Sequence, residues 1–319
     1  MAAASFVAGD WGTSHLRLFL CDDEGGVIES RHGPGIAEIR RPFAEVFESL
    51  IESWESGHGS LPAVLCGMVG SSIGWTQAPY VPCPVIPTGI MDACVALRDG
   101  RVQVIPGLKC RNRLGAPDVI RGEETQVLGA LTRNPGLRHG LQLLCLPGTH
   151  TKWLVLRDGV VEEFLTAPTG ELFAALRDHS VLVPNGSRNQ DVAGGAAFEA
   201  GAFEAGLKRC FDHPQAPVLH LLFECRSRLL SGELTPEGAA AFLSGLLIAD
   251  DVGGALHLFA DCIAERTVHV IGTPRLTQLY ATALALWSHA ANQLDGMAVS
   301  LAGLTRVHQH LSQVESNAV

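Results

Sequence analysis

A Gly-Thr turn between two apolar segments occurs twice, and this repeat constrains the fold more than any other feature of the sequence. Gly12-Thr13 and Gly148-Thr149 each follow an apolar segment and precede one in which leucines alternate with other residues. Both copies then reach an Asp-Gly turn and another apolar segment, within residues 6–30 and 143–165. A strand, a tight turn and a second strand form a common unit, so chance is the alternative. Duplication of a domain core explains the ordered match more economically.

The length and charge of the chain limit the kinds of protein in which this repeat can occur. A chain of 319 residues is long enough for two domains. Its 47% apolar and 18% charged residues are typical of a folded protein. A net charge of -10 argues against a broad surface for nucleic acid or anionic membrane, because such surfaces need clustered Lys and Arg.

The nine cysteines are scattered, lack C-x-x-C pairs and lie mostly in apolar runs, so we expect reduced thiols in the cytoplasm. The N-terminus has no basic segment of an export signal, and no uninterrupted apolar run reaches the roughly 18 residues of a membrane helix. We therefore expect neither export nor membrane insertion.

Apolar periodicity and turn residues predict alternating strands and helices. We expect strands at residues 5–9, 16–21, 27–31, 63–66 and 268–271, and a glycine-rich loop at 67–74. Helical spacing of apolar residues is found at 42–54, 121–131, 169–178, 190–210, 236–249 and 274–287.

The two turns have the residue types that bind phosphate. Backbone N–H groups and hydroxyls of two such turns could hold a polyphosphate, with Asp10 binding Mg²⁺. His150 and Lys152 flank the second turn. Tight hairpins that use glycine only for its backbone dihedral angles are the alternative.

A helix start at Arg121-Gly122-Glu123-Glu124 offers a carboxylate for catalysis. Acidic residues in a first turn usually interact with the helix dipole and imply no chemistry. Phosphoryl transfer to a hydroxyl nevertheless needs a carboxylate that orients the hydroxyl and accepts its proton.

Several motifs occur in order and together resemble one family, that of the 2-keto-3-deoxygalactonokinases. The motifs are Asp10-Trp11-Gly12-Thr13, Gly67-Met68-Val69-Gly70-Ser71, Gly74-Trp75, Ala78-Pro79-Tyr80, Arg121 to Gln126, Pro147-Gly148-Thr149-His150 with Lys152-Trp153, and Thr169-Gly170-Glu171-Leu172. The resemblance implies an α/β fold of two actin-like, ribonuclease H-like domains with a cleft between them. On this basis we expect domains at residues 1–125 and 126–319. It also implies ATP-dependent phosphorylation of the terminal hydroxyl of 2-dehydro-3-deoxy-D-galactonate in galactonate breakdown.

The resemblance also assigns roles to residues. The expected nucleotide-binding residues are Gly12, Thr13, Ser14, Gly148, Thr149, His150, Lys152, Gly272 and Thr273, with Asp10 at Mg²⁺. The catalytic base is Glu123 or Glu124, with Glu123 preferred and Asp118 in reserve. The expected residues of the sugar-acid pocket are Gly70, Ser71, Trp75 and Tyr80, with Arg17 or Arg121 opposite the substrate carboxylate. Structural aromatic residues are the alternative for Trp75 and Tyr80.

Two other functions remain open on the sequence. One is a kinase for another sugar acid or an anhydro-sugar, because pocket residues decide the substrate. The other is an actin-like protein that binds ATP without transferring phosphate. The expected partners are the small-molecule substrate and ATP, without nucleic acid or membrane, and a homodimer is the candidate assembly.

Overall fold

The protein contains two large sheets whose central strands have the same order. The computed structural model describes residues 3–184, 199–263 and 267–318. The first sheet contains β1 (Phe6–Trp11), β2 (His15–Cys21), β3 (Val27–Pro34), β4 (Ala63–Cys66), β6 (Val95–Leu97) and β7 (Val102–Val104). Its order is β3-β2-β1-β4-β7-β6, with β1 antiparallel to β2 and parallel to β4. Two consecutive hairpins and one crossover therefore build its centre.

The second sheet repeats that arrangement. It contains β10 (Leu141–Leu146), β11 (Thr151–Arg157), β12 (Val160–Ala167), β13 (Thr267–Gly272) and β14 (Ala290–Asp295), in the order β12-β11-β10-β13-β14. The strand β13 runs parallel to β10, as β4 does to β1. The order of the strands confirms the repeat predicted from the two Gly-Thr turns.

A third sheet was not expected. It consists of β5 (Tyr80–Pro82), β8 (Gly107–Arg111) and β9 (Pro117–Ile120), in the order β5-β8-β9. These strands have three to five residues, too few to establish an alternating pattern.

The helices are α1 (Phe43–His58), α2 (Pro87–Met91), α3 (Glu123–Arg133), α4 (Thr169–His179), α5 (Ala200–Asp212), α6 (Val218–Leu221), α7 (Glu224–Leu230), α8 (Pro236–Leu258), α9 (Pro274–Leu286) and α10 (Gly296–Ala318). The helix predicted at 190–210 is observed from Ala200, and residues 190–198 lie outside the described residues. The helix α8 is longer than predicted and, by length and composition alone, could span a membrane. Because 78% of its apolar window is buried inside the protein, its composition is explained by core packing.

The two faces of β1 meet different helices. Val7 and Trp11 pack in a core with Phe47 and Trp54 of α1. Phe6 points to the other face, where its ring stacks on His308 of α10 with centroids 4.2 Å apart. Because side chains alternate along a strand, Asp10 lies on the same face as Phe6.

The chain forms two compact units that are not continuous in sequence. The first contains Met1–Gly140, Val155–Phe164 and Asp295–Val319, and the second contains Leu141–Leu154 and Leu165–Leu294. The predicted division after residue 125 differs from this arrangement, because α3 and α10 both belong to the first unit. Their backbones approach closely at two glycines: a Cβ at Gly129 would lie 1.7 Å from the Val299 carbonyl oxygen, and one at Gly303 would lie 2.0 Å from that of Thr125.

Candidate active site

Asp10 lies near the end of β1, opposite Arg17 of β2. Their closest side-chain atoms, Arg17 Nη1 and Asp10 Oδ2, are 3.9 Å apart. Burial raises the pKa of Asp10, Arg17 opposes this shift, and the negative charge of Glu123 adds to it. Gly67 has a φ of +91°, and a Cβ there would lie 3.3 Å from Asp10 Oδ1 and 3.0 Å from the Trp11 carbonyl oxygen. A larger residue at 67 would therefore crowd the acidic group.

The two acidic residues at the start of α3 have different surroundings. Glu124 is fully buried, and its Oε1 and Oε2 accept hydrogen bonds from the Gly122 amide at 2.9 and 2.7 Å. Burial raises the pKa of Glu124 to about 8, and the neighbouring Glu123 contributes to this shift. Glu123 is partly exposed, and its Oε2 accepts a hydrogen bond from the Arg121 amide at 3.0 Å. Of the two residues, Glu123 is the more exposed.

Within the described residues, Arg121 has buried side-chain donors without hydrogen-bond partners. Its guanidinium carbon lies 4.3 Å from the centre of the Tyr80 ring, and Nη2 donates to the Ala78 carbonyl oxygen at 2.9 Å. Nε and Nη1 are buried and have no hydrogen-bond partner among the described residues, and the same is true of the Ser71 hydroxyl. A Cβ at Gly70 would lie 2.8 Å from Nη1. The structure thus groups Gly70, Tyr80 and Arg121.

Trp75 has different contacts from those of Tyr80. Its ring lies 6.3 Å from that of Trp11 and 5.5 Å from that of Phe47, and it packs against the core of the first unit. These contacts favour the structural alternative for Trp75. Asp118 accepts hydrogen bonds from the Val119 amide at 2.8 Å and from the Asn112 side chain at 3.4 Å, which tie it to the hairpin of β8 and β9.

The second Gly-Thr turn packs against the start of α4. A Cβ at Gly170 would lie 2.3 Å from the Gly148 carbonyl oxygen, and the Glu171 amide donates to the Thr149 carbonyl oxygen at 2.8 Å. His150 Nε2 lies 2.8 Å from Glu171 Oε2. The turn and the helix start therefore form one local structure.

Lys152 also takes part in this turn. Its side chain is buried, and Nζ donates to the His150 carbonyl oxygen at 2.9 Å. The ammonium group is therefore held beside the backbone of the turn.

The predicted adenosine motif lies beside this turn. Because β10 and β13 are parallel, Pro147, which follows β10, and Gly272, the last residue of β13, lie at the same edge of the sheet. A Cβ at Gly272 would lie 3.5 Å from Pro147 Cγ. Thr273 caps α9 by accepting a hydrogen bond from the Leu276 amide at 3.5 Å. The second turn and the motif predicted for adenosine thus share one edge of one sheet.

Sequence reasoning missed Asp251 of α8, whose carboxylate accepts hydrogen bonds from Trp153, Thr169 and Tyr280. The signal available in the sequence was the Asp250-Asp251 pair within an otherwise apolar helix. A carboxylate in such a segment needs partners, because burial of an unpaired charge is costly.

Asp10 fits a site for Mg²⁺ that is bound mainly through phosphate. Among the described residues, no group of three or more His, Cys, Asp or Glu side chains could hold a metal ion. Mg²⁺ in nucleotide enzymes typically uses one or two carboxylates together with substrate phosphates and water. A single carboxylate at the end of β1 meets that requirement.

Comparisons with known proteins identify the family to which the chain is similar. The family model of 2-keto-3-deoxy-galactonokinase matches residues 10–307. A 2-dehydro-3-deoxygalactonokinase from Escherichia coli (strain K12) is 30% identical, with 95% of this chain and 97% of the relative covered. A Rhizobium meliloti (strain 1021) protein with the name "Probable 2-dehydro-3-deoxygalactonokinase DgoK1" is 35% identical, with 95% and 96% covered.

Solved structures extend the comparison to the fold. A candidate 2-dehydro-3-deoxygalactonokinase from Sinorhizobium meliloti has a TM-score of 0.81 and 32% identity, covering 96% of this chain and 99% of that protein. The activator of 2-hydroxyisocaproyl-CoA dehydratase from Clostridium difficile has a TM-score of 0.52 and 11% identity, covering 98% and 97%. The second likeness concerns the fold alone, and both agree with the expected α/β, actin-like class.

Proposed function

Because the chain belongs to the 2-keto-3-deoxy-galactonokinase family, we propose that it transfers the terminal phosphoryl group of ATP to 2-dehydro-3-deoxygalactonate in galactonate breakdown. The acceptor is the terminal hydroxyl, at C6. The family match over residues 10–307 carries the proposal, because it spans every residue assigned here to the site.

Glu123 is the base that accepts the proton of the attacking hydroxyl. Its partial exposure and its position at the start of α3 support this role. Glu124 is fully buried, and burial raises its pKa to about 8, so it is protonated at neutral pH. Asp118 is engaged in its own hairpin. A general base must be accessible and unprotonated, and burial of Glu124 works against both conditions. With Asp118 tied to its hairpin, Glu123 is the base.

Each of the two glycine turns has groups that suit nucleotide phosphate. Gly12, Thr13 and Ser14 of the first turn and Gly148 and Thr149 of the second offer backbone amides and hydroxyls to phosphate oxygens. Lys152 adds positive charge, His150 lies beside the same turn, and Gly272 and Thr273 contact the adenosine. Asp10 would hold Mg²⁺, and that ion would neutralise charge on the transferred phosphoryl group.

Arg121, rather than Arg17, binds the carboxylate of the sugar acid. Arg17 already lies beside Asp10, whereas two nitrogen atoms of Arg121 have no hydrogen-bond partner in the part of the chain that the structure describes. Buried donors without partners are costly, so an incoming carboxylate would gain hydrogen bonds that the protein itself leaves unmade. Ser71 supplies a further hydroxyl, and Tyr80 orients the guanidinium.

We also propose that the protein acts in the cytoplasm on small molecules, without nucleic acid or membrane partners, and that a homodimer is the assembly to test first. The net charge of -10 supports the first part, since it disfavours contact with phosphate-rich surfaces.

The test is ADP release from ATP and Mg²⁺ with a panel of acids. The panel contains 2-dehydro-3-deoxygalactonate, its C4 epimer, its 6-deoxy analogue and its C1 amide. We expect fastest turnover with the first and none with the 6-deoxy analogue. The amide should lose roughly 10- to 100-fold in kcat/KM, because hydrogen bonds to a charged group contribute about 1.5–3 kcal/mol.

Other outcomes would favour the alternatives. Faster turnover of the C4 epimer would assign the enzyme to another sugar acid. Binding of ATP without ADP release from any acid of the panel would favour an actin-like protein that does not transfer phosphate. Phosphorus-proton correlation in the NMR spectrum of the product identifies the hydroxyl that is modified.

A further inference from the structure

Asp251 connects three other elements of the second unit through one carboxylate. Trp153 Nε1 of β11 donates to Oδ1 at 2.8 Å. The Thr169 hydroxyl of α4 and the Tyr280 hydroxyl of α9 each donate to Oδ2 at 2.7 Å. Burial raises the pKa of Asp251, and these donors oppose that shift. Hydrogen-bond donors thus face both oxygens of the carboxylate.

The donors are attached to the second Gly-Thr turn from both sides. Thr169 precedes Gly170, which packs against the backbone of Gly148 and Thr149. On the other side, the hydroxyl of Thr151, the first residue after the turn, lies 2.8 Å from the Tyr280 hydroxyl. Because Tyr280 gives its single proton to Asp251, Thr151 donates to Tyr280. The hydrogen bonds therefore have one direction, from the residues beside the turn towards Asp251.

We propose that Asp251 is a positioning residue for ATP. Through Thr169, and through Thr151 by way of Tyr280, its carboxylate holds the second Gly-Thr turn in the conformation that binds phosphate. The inference rests on the proposed role of that turn in nucleotide binding. Asp251 is not part of any of the sequence motifs, because it lies about 100 residues after the turn. The inference therefore adds a residue to those that the motifs assign to ATP binding.

A purely structural role would make a different prediction. Loss of packing alone would lower the melting temperature and leave the affinity of the folded protein for ATP unchanged. Loss of a positioning contact weakens ATP binding while the KM of the sugar acid stays the same, because the acceptor residues belong to the first unit.

Asp251→Asn is the principal variant, and Asp250→Asn is the matched control. The amide keeps the shape of residue 251 but turns one acceptor into a donor that faces other donors. Asp250 is the exposed neighbour in the same helix. Isothermal titration with MgATP in the absence of acceptor should show a Kd about tenfold higher for Asp251→Asn, equivalent to about 1.4 kcal/mol, and an unchanged Kd for Asp250→Asn.

Two further variants keep the test decisive if Asp251→Asn does not fold. Tyr280→Phe and Thr169→Val each remove one donor and preserve size, and each should raise the Kd for MgATP about threefold. Wild-type Kd values in all folded variants, or equal changes in the KM of ATP and of the sugar acid, would overturn the inference. Failure of the wild-type chain to bind MgATP would instead overturn the proposed function, and the inference with it.

Discussion

Glu123 and Glu124 are adjacent in sequence, yet the fold gives them opposite environments. Successive residues of a helix point about 100° apart, so one side chain of such a pair can face the core while the other faces solvent. Glu124 is buried beneath the Gly122 amide, whereas Glu123 is partly exposed. The sequence predicted an acidic helix start but could not separate the two residues, because burial depends on contacts distant in sequence.

Replacement of Glu123 by Gln should abolish the base while preserving size. We expect kcat to fall by roughly 10² to 10⁴-fold, with the Kd of MgATP and the melting temperature nearly unchanged. Steady-state assays measure kcat, isothermal titration measures the Kd of MgATP, and thermal unfolding measures the melting temperature. Glu124→Gln is the control and should retain most activity, since a protonated carboxyl and an amide are similar in charge and shape. Near wild-type kcat for Glu123→Gln, with loss of activity in Asp118→Asn, would contradict the assignment.

Glu124 should also make stability depend on pH. Its pKa rises from 4.5 to about 8 on folding, so the folded chain binds this proton more tightly than the unfolded chain. The free energy of unfolding should therefore fall as pH rises from about 4.5 to about 8. Urea denaturation at pH 6 and pH 8 should show a smaller decrease for Glu124→Gln than for the wild type. Equal decreases for the two proteins would mean that Glu124 is ionised throughout.

At the scale of elements, buried strands bounded by turn residues were predicted well. The strand β4 has the predicted bounds, and the helix α4 begins at the predicted residue. The short sheet of β5, β8 and β9 was missed because its strands are stabilised mainly by pairing with one another rather than by a local apolar pattern. The two Gly-Thr turns are local in sequence and could therefore be predicted, whereas the hydrogen bonds to Asp251 join positions far apart in the chain.

The close approach of α3 and α10 should make Gly129 intolerant of any side chain. In Gly129→Ala, the new Cβ would lie 1.7 Å from the Val299 carbonyl oxygen, so the helices must separate. We expect the free energy of unfolding to fall by roughly 1–3 kcal/mol in urea titrations. Gly57→Ala in α1 is the control: a Cβ there meets nothing within 4 Å, so a gain of up to about 1 kcal/mol is expected. Equal effects of the two substitutions would show that helix propensity, and not packing, determines the change in the free energy of unfolding.

At the scale of the molecule, the boundary between the units could not be predicted from local patterns. The first unit gains its last helix from the far end of the chain, which packs against α3, the helix that begins with Glu123. Small residues mark the contact, but glycines occur throughout the sequence and do not indicate which helix they face. The predicted boundary after residue 125 falls within α3, whereas the whole helix belongs to the first unit.

Removal of residues 296–319 should therefore unfold the first unit. The helix α10 buries Val299, Leu304 and Val307 almost completely. Burial of each such side chain contributes about 1.5–3 kcal/mol, so their loss approaches the ~5–15 kcal/mol stability of a typical protein. We expect the shortened chain to lose catalytic activity and the cooperative unfolding of the first unit. A chain that ends after Val314, which is half exposed, should keep both, because the three buried residues remain. Wild-type melting and kcat in the chain without residues 296–319 would mean that α10 is dispensable, and that α3 holds Glu123 in place without it.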